Sequence, residues 1–149
     1  MIGHLPDHLL PVYGGILSKY FKDPETLFVV STDFCHWGNR FDFTHRFKEV
    51  ATVGDSIERL DRLGMDLIEK HDLRGFTKYL EDYENTICGR LPLKVYLATI
   101  QAAYPEYHKG TWVETQFVKY AQSERIVDNK DGEASSVSYA SACTWLKQI

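Results

Sequence analysis

Three side chains in this sequence have types and settings suited to chemistry: Asp33, His36 and Cys88. Asp33 and His36 are three residues apart in Ser31-Thr32-Asp33-Phe34-Cys35-His36-Trp37-Gly38, a polar and aromatic stretch that follows a short apolar run. A carboxylate that orients an imidazole makes a general acid, a general base or a metal ligand. The plainer reading is an Asp that caps a turn and a His that packs against Trp37. Cys88 lies in Asn85-Thr86-Ile87-Cys88-Gly89-Arg90. Asn85 or Thr86 is placed to cap a helix whose positive end, aided by Arg90, favours the thiolate that attacks electrophiles or binds metal. Against this stands the ordinary role of a free cysteine as a small buried hydrophobe. On the first reading Cys88 is the most reactive of the three cysteines; Cys35 and Cys143 sit in apolar elements and read as structural.

Other candidates carry less. His4 and His8 fall near the start, and His71 and His108 at expected helix ends, so all four read as solvent-facing. His45 neighbours the first cluster in sequence only. The hydroxyls of Ser135-Ser136-Val137-Ser138-Tyr139-Ala140 lack the G-x-S-x-G elbow of serine hydrolases, and there is no Walker loop or dinucleotide fingerprint.

These side chains need elements to hold them. Leu9, Tyr13, Ile16 and Tyr20 recur at helical spacing between His8 and Lys22, and Asp23-Pro24 ends that helix. Leu27 to Val30 is continuous and partly β-branched, which predicts a central strand covered on both faces, with Asp33 and His36 at its carboxyl end. Val50 to His71 shows a helical face of Val53, Ile57, Leu60, Leu67 and Ile68, with Glu58/Arg62 and Asp66/Lys70 as i,i+4 pairs opposite. Helices are further expected over Leu73 to Asp82 and after Pro92, the latter with Leu93, Leu97, Ile100 and Tyr104 on one face. Trp112 to Tyr120 reads as a strand, Gln122 to Ala134 as a loop, and Val137, Tyr139, Ser141 and Cys143 as one face of a last strand. The fold class is therefore α/β, with all 149 residues in one domain.

Composition narrows the partners. A net charge of −4, with the seventeen Lys and Arg dispersed, offers no basic patch for nucleic acid or anionic lipid. No apolar stretch reaches the roughly 20 residues that a membrane span needs. Three cysteines, none in a C-x-x-C pair, favour a reducing compartment, and the expected location is cytoplasmic.

The stretches LFVVSTDFCHWGNRF, NTICGR, YAQS and SSVSYA, in that order, resemble the Memo family, named for mediating receptor-tyrosine-kinase-driven cell motility. The resemblance runs from about the first helix to the carboxyl terminus. It implies a sheet with flanking helices like that of class III extradiol dioxygenases, whose pocket holds non-haem iron by two histidines and a carboxylate. In Memo proteins a cysteine replaces that carboxylate. Cys88 matches it as a metal ligand, while Asp33 and His36 match catalytic residues of the same pocket. Iron or copper binding, redox chemistry and recognition of phosphotyrosine-containing receptor tails are further implications.

The resemblance also implies that the two metal-binding histidines belong to an earlier half of the fold, so this chain reads as a partial domain, the later half, with an incomplete site and weak or absent metal. Leu91 departs from the histidine found after the Cys-Gly-Arg in many animal members. Three functions follow as expectations: a metal-dependent redox protein supporting receptor-driven motility signalling, a non-catalytic adaptor for phosphotyrosine peptides, or an inactive truncated isoform. An exposed sheet edge would add self-association.

Overall fold

The computed structural model describes residues 2–105, 113–130 and 132–146. Four helices and three strands follow in chain order: α1 (Leu10–Phe21), β1 (His36–Trp37), α2 (Val53–Glu69), α3 (Leu73–Tyr83), α4 (Arg90–Ala103), β2 (Val113–Gln122) and β3 (Ser136–Leu146). The sheet is antiparallel in the order β1-β3-β2. Short 3₁₀ turns precede α1 at Asp7–Leu9 and follow β1 at Asn39–Phe41.

Local chemistry accounts for the helix boundaries. Thr52 and Asp55 form a reciprocal capping box at the start of α2, the Thr52 hydroxyl accepting the Asp55 N–H at 3.0 Å. The expected apolar face of α2 is the one that packs: Val53, Ile57, Leu60 and Ile68 are buried, with Met65 among them and Leu67 packed at the edge. Glu58 and Arg62 pair on the opposite side at 3.4 Å. Asp72 caps α3 by accepting the Gly75 N–H at 2.8 Å. Helix α4 starts at Arg90 rather than after Pro92, and it buries Leu93, Leu97 and Ile100. It packs on α1 so closely that a Cβ at Gly14 would overlap the Ala98 carbonyl, which is why α1 carries glycine there.

One expectation fails in an instructive way. Leu27 to Val30 is extended but is not a strand, and it is not covered on both faces: Leu27 and Val29 are 84% and 79% exposed, while Phe28 and Val30 turn inward onto the core. Apolar β-branched sequence favours the conformation, yet a strand also needs neighbours to take its backbone hydrogen bonds, and this segment has no such partner among the described residues. In β3 the inward positions are Ser136 and Ser138, while Tyr139 and Cys143 face outward. Ser138 accepts from the Tyr120 hydroxyl of β2 and Ser136 donates to the Glu124 carbonyl in the β2–β3 connection, so hydrogen bonding selects the register rather than hydrophobicity. The expected strand start at Trp112, and His108, lie outside the described residues.

His71 also differs from its expected exposure. It is 2% exposed beneath β2, with Nε2 2.5 Å from the Thr115 hydroxyl, and burial lowers its pKa to about 4. Between pH 6.5 and 4 the unfolded chain binds a proton at this position that the folded chain refuses, so the contribution of His71 is complete above pH 6.5 and lost as pH falls. A gap of this size is worth on the order of 3 kcal/mol. Buried Asp61 acts oppositely: burial raises its pKa, so its contribution is present below the ordinary carboxyl range and declines as pH rises through its folded value. Urea unfolding from pH 7 to 4 separates the two, because His71→Asn, which tolerates the positive φ of 52° at this position, is expected to remove the acid-side loss and leave the Asp61 trend.

Candidate functional site

Two segments about fifty residues apart in sequence build the site. The first runs from Thr32 to Trp37 and the second from Asn85 to Gly89, and each holds the other mainly through backbone groups. The Thr86 hydroxyl accepts the His36 N–H at 2.7 Å and donates to the His36 carbonyl at 2.9 Å, which fixes the backbone that presents the imidazole. In return the Thr32 hydroxyl accepts the Gly89 N–H at 2.7 Å, immediately ahead of α4. The side chain that satisfies the start of α4 thus comes from across the site. Asn85 and Thr86, the expected caps, serve elsewhere.

This arrangement links Asp33 to both other candidates, its carboxylate to the His36 imidazole and its backbone N–H to the Cys88 sulfur. Cys88 is exposed, and its Sγ accepts the Asp33 backbone N–H at 3.1 Å with the Thr32 hydroxyl 3.5 Å away. Asp33 Oδ2 lies 3.6 Å from His36 Nε2. The His36 ring leans on Phe41, centroids 5.2 Å apart, rather than on Trp37, whose indole N–H is committed to the His45 carbonyl at 2.9 Å. An oriented imidazole, a partly exposed carboxylate and an accessible sulfur held by a backbone donor can move a proton and attack or coordinate a ligand. Arg90 follows Cys88, but its guanidinium donates to the Ile87 carbonyl at 3.2 Å and so anchors the turn before α4.

The remaining candidates separate cleanly. Cys35 is buried, as its apolar setting suggests, and burial pushes its thiol up. Cys143, also read as structural, is exposed on β3. His4 and His8 are exposed. His45 sits half-buried between Phe47 and Tyr83 at centroid distances of 4.8 and 5.5 Å, and burial lowers its pKa. It supports Trp37 from behind and brings no group to Cys88.

What the sequence did not announce is the layer beneath. Asp61 of α2, fully buried, accepts the Cys35 N–H at 3.2 Å, the Asn85 side-chain N–H at 3.1 Å and the Tyr120 hydroxyl at 2.8 Å. Asn85 also donates to the Tyr79 hydroxyl at 2.6 Å, and Tyr79 in turn donates to the Leu60 carbonyl at 3.0 Å. One signal was available: Asp61 lies one position after Leu60 on the apolar side of α2, where a carboxylate is costly unless it is hydrogen-bonded.

Two outcomes follow for the site. Iodoacetamide should modify Cys88 first in the folded protein and leave Cys35 untouched until denaturant is added, as read by peptide mass mapping. Gly89→Ala should disrupt the site, because a methyl group at position 89 would overlap the Thr32 side chain that accepts the residue's own N–H. A loss of about 1–3 kcal/mol in urea unfolding, together with faster Cys88 alkylation as Thr32 is displaced, is the expected result.

Residues 1–143 match the family model described as Memo-like protein. Protein MEMO1 of Xenopus laevis is 42% identical over 140 residues, and human Protein MEMO1 is 41% identical over 140 residues. Each of these alignments covers 94% of this chain and 45% of the relative. The Protein memo-1 homolog of Caenorhabditis elegans is 37% identical over 147 residues, covering 98% of this chain and 41% of the relative. The chain therefore spans less than half the length of these curated relatives. With a family match over almost its whole length and both site segments inside the matched region, the chain belongs to the Memo family.

Proposed function

We propose that the chain carries the sulfur-and-proton side of a Memo-like redox site. In this reading Cys88 is the reactive or ligating sulfur, and Asp33 orients His36 to give or accept a proton beside it. The observation that supports it is that Asp33 bridges two distant segments, its carboxylate 3.6 Å from the His36 imidazole and its backbone N–H donating to the Cys88 sulfur. A role in receptor-driven motility signalling, a cytoplasmic location and kinship with the extradiol dioxygenase fold accompany this reading through the family resemblance.

The residues present do not by themselves fit a resident iron or copper ion. Among the described residues no group of three or more His, Cys, Asp or Glu side chains is arranged to hold a metal. Cys88 and His36 offer two soft or borderline donors, and Asp33 adds a hard one already turned toward His36. Fewer donors than the four of a stable structural site leave positions to water and bind weakly. No helix among the described residues is long and apolar enough to cross a membrane, so the site is not placed within a bilayer by one.

Equilibrium dialysis with iron(II) and with copper(I) under reducing conditions tests the donor count. Neither metal is expected to remain at one equivalent per chain. A stoichiometric complex that survives a mild chelator and disappears in Cys88→Ser would show that the site is complete. Binding of a phosphotyrosine peptide that is unchanged in Cys88→Ala would instead favour the adaptor reading over the redox one.

A further inference from the structure

The carboxylate of Asp61 divides its two oxygens between two parts of the fold. Oδ1 accepts the Cys35 N–H at 3.2 Å and the Asn85 side-chain N–H at 3.1 Å. Oδ2 accepts the Tyr120 hydroxyl at 2.8 Å, and that hydroxyl lies 3.3 Å from the Ser138 hydroxyl and accepts the Gln122 side-chain N–H at 3.1 Å. Oδ1 therefore serves the site and Oδ2 the sheet. Cys35 sits between Asp33 and His36, and Asn85 lies three residues ahead of Cys88, so one buried atom ties together the two segments that carry the candidate side chains.

The chemistry of the donors separates the two sides further. Both groups on Oδ1 are amides, whose N–H can only donate, whereas Tyr120 brings a hydroxyl, which can also accept. A proton taken up by the carboxyl thus goes to Oδ2, where a hydroxyl oxygen receives its hydrogen bond, and Oδ1 keeps both amide bonds in either state. Asparagine at this position reproduces the protonated arrangement, with its oxygen toward the site and its amide N–H toward Tyr120.

The place of Oδ1 matters because the Thr86 hydroxyl, which holds both backbone groups of His36, is a single point about which the 85–89 segment can turn. Asn85 lies on one side of that point and Cys88 on the other. Thr32 restrains the far end through the Gly89 N–H, and Oδ1 restrains the near end through Asn85. Held at both ends, the segment keeps the Cys88 sulfur 3.1 Å from the Asp33 N–H. A backbone N–H directed at sulfur favours the thiolate, the form that reacts.

We infer that Asp61 is a positioning residue of the site, its Oδ1 anchoring Asn85 so that the Cys88 sulfur meets the Asp33 N–H. This deepens the proposed function and rests on its reading of Cys88 as the reactive sulfur.

Single variants of the chain, each checked for folding by its urea midpoint, separate the two oxygens. Asn85→Ala removes a donor from Oδ1, Tyr120→Phe removes the donor from Oδ2, and Asp61→Asn keeps an acceptor at Oδ1. The readouts are the iodoacetamide rate at Cys88 at neutral pH and the nuclear magnetic resonance of the Asp33 amide, which reports the N–H···S bond whether or not the sulfur reacts. Asn85→Ala is expected to slow alkylation by about threefold or more and to displace the Asp33 amide resonance. Tyr120→Phe and Asp61→Asn are expected to stay within about twofold of the unaltered chain with that resonance in place, although Tyr120→Phe lowers the urea midpoint. General loosening acts in the opposite direction, since it exposes the sulfur and speeds the reaction. Equal slowing in Asn85→Ala and Tyr120→Phe would overturn the inference by making the network a general support. Slowing in Asp61→Asn as large as in Asn85→Ala would overturn it too, because the charge of Asp61 and not the placement of Oδ1 would then be the acting property. Where Asn85→Ala does not fold, Asp61→Asn decides: an unmoved Asp33 amide supports the inference and a displaced one refutes it. A Cys88 that reacts no faster than Cys143 in the unaltered chain, with the Asp33 amide still displaced in Asn85→Ala, would sink the reactive-sulfur reading and uphold the positioning role.

Discussion

The carboxylate of Asp61 organises this molecule. It is buried at the centre of α2 and accepts hydrogen bonds from the backbone beside His36, from Asn85 just ahead of Cys88, and from Tyr120 of β2. Taking a carboxylate out of water is expensive, and burial raises its pKa accordingly. The donors around it offset that cost only while all of them stay in place. The same condition makes Asp61 a registration device, because any slide of the 32–37 segment, the 85–89 segment or β2 relative to α2 leaves one of its lone pairs unmatched in a dry interior. Apolar contacts among Phe34, Ile57, Leu60, Ile87 and Leu97 supply the bulk of the attraction, but they are not directional and would tolerate such shifts.

The chemistry rests on this registration. Asp33, His36 and Cys88 are positioned less by their own side-chain contacts than by the main chain around them: Thr86 clamps both backbone groups of His36, Thr32 takes the Gly89 N–H, and the Asp33 N–H points at the Cys88 sulfur. A site assembled through backbone hydrogen bonds leaves its reactive atoms free to face solvent and ligand. It also explains why position 89 must be glycine, since the two segments approach to the point where a β-carbon has no room. Beneath the cluster, Tyr79, Tyr83 and His45 form an aromatic support that continues to Trp37.

The same region carries the molecule's least satisfied structure. The segment that delivers Asp33 is extended for several residues before it reaches the site, with Leu27 and Val29 facing solvent and no strand paired to them among the described residues. Apolar side chains in that setting have a free-energy incentive to be covered. Thr32 belongs both to the wall of the neighbouring cavity and to the surroundings of Cys88, so the two adjoin.

Periodicity in the sequence was sufficient for the helices. The stripe from Val53 to Ile68 and that from Leu93 to Ile100 predicted α2 and α4 and the faces they bury, because a helix satisfies its own backbone and needs the rest of the fold only for its apolar side. The motifs around Asp33, His36 and Cys88 likewise marked the family before any coordinates. Strands were less legible. Leu27 to Val30 has strand composition without becoming one, and β3 turns serines inward, because a strand's backbone bonds and facing are decided by neighbours distant in sequence. Burial of His71, the roles of Thr32, Thr86 and Asn85, and the assembly around Asp61 were settled only by tertiary structure. Each is a polar group with a partner at least 24 residues away, and no local pattern encodes which distant donor will meet which acceptor.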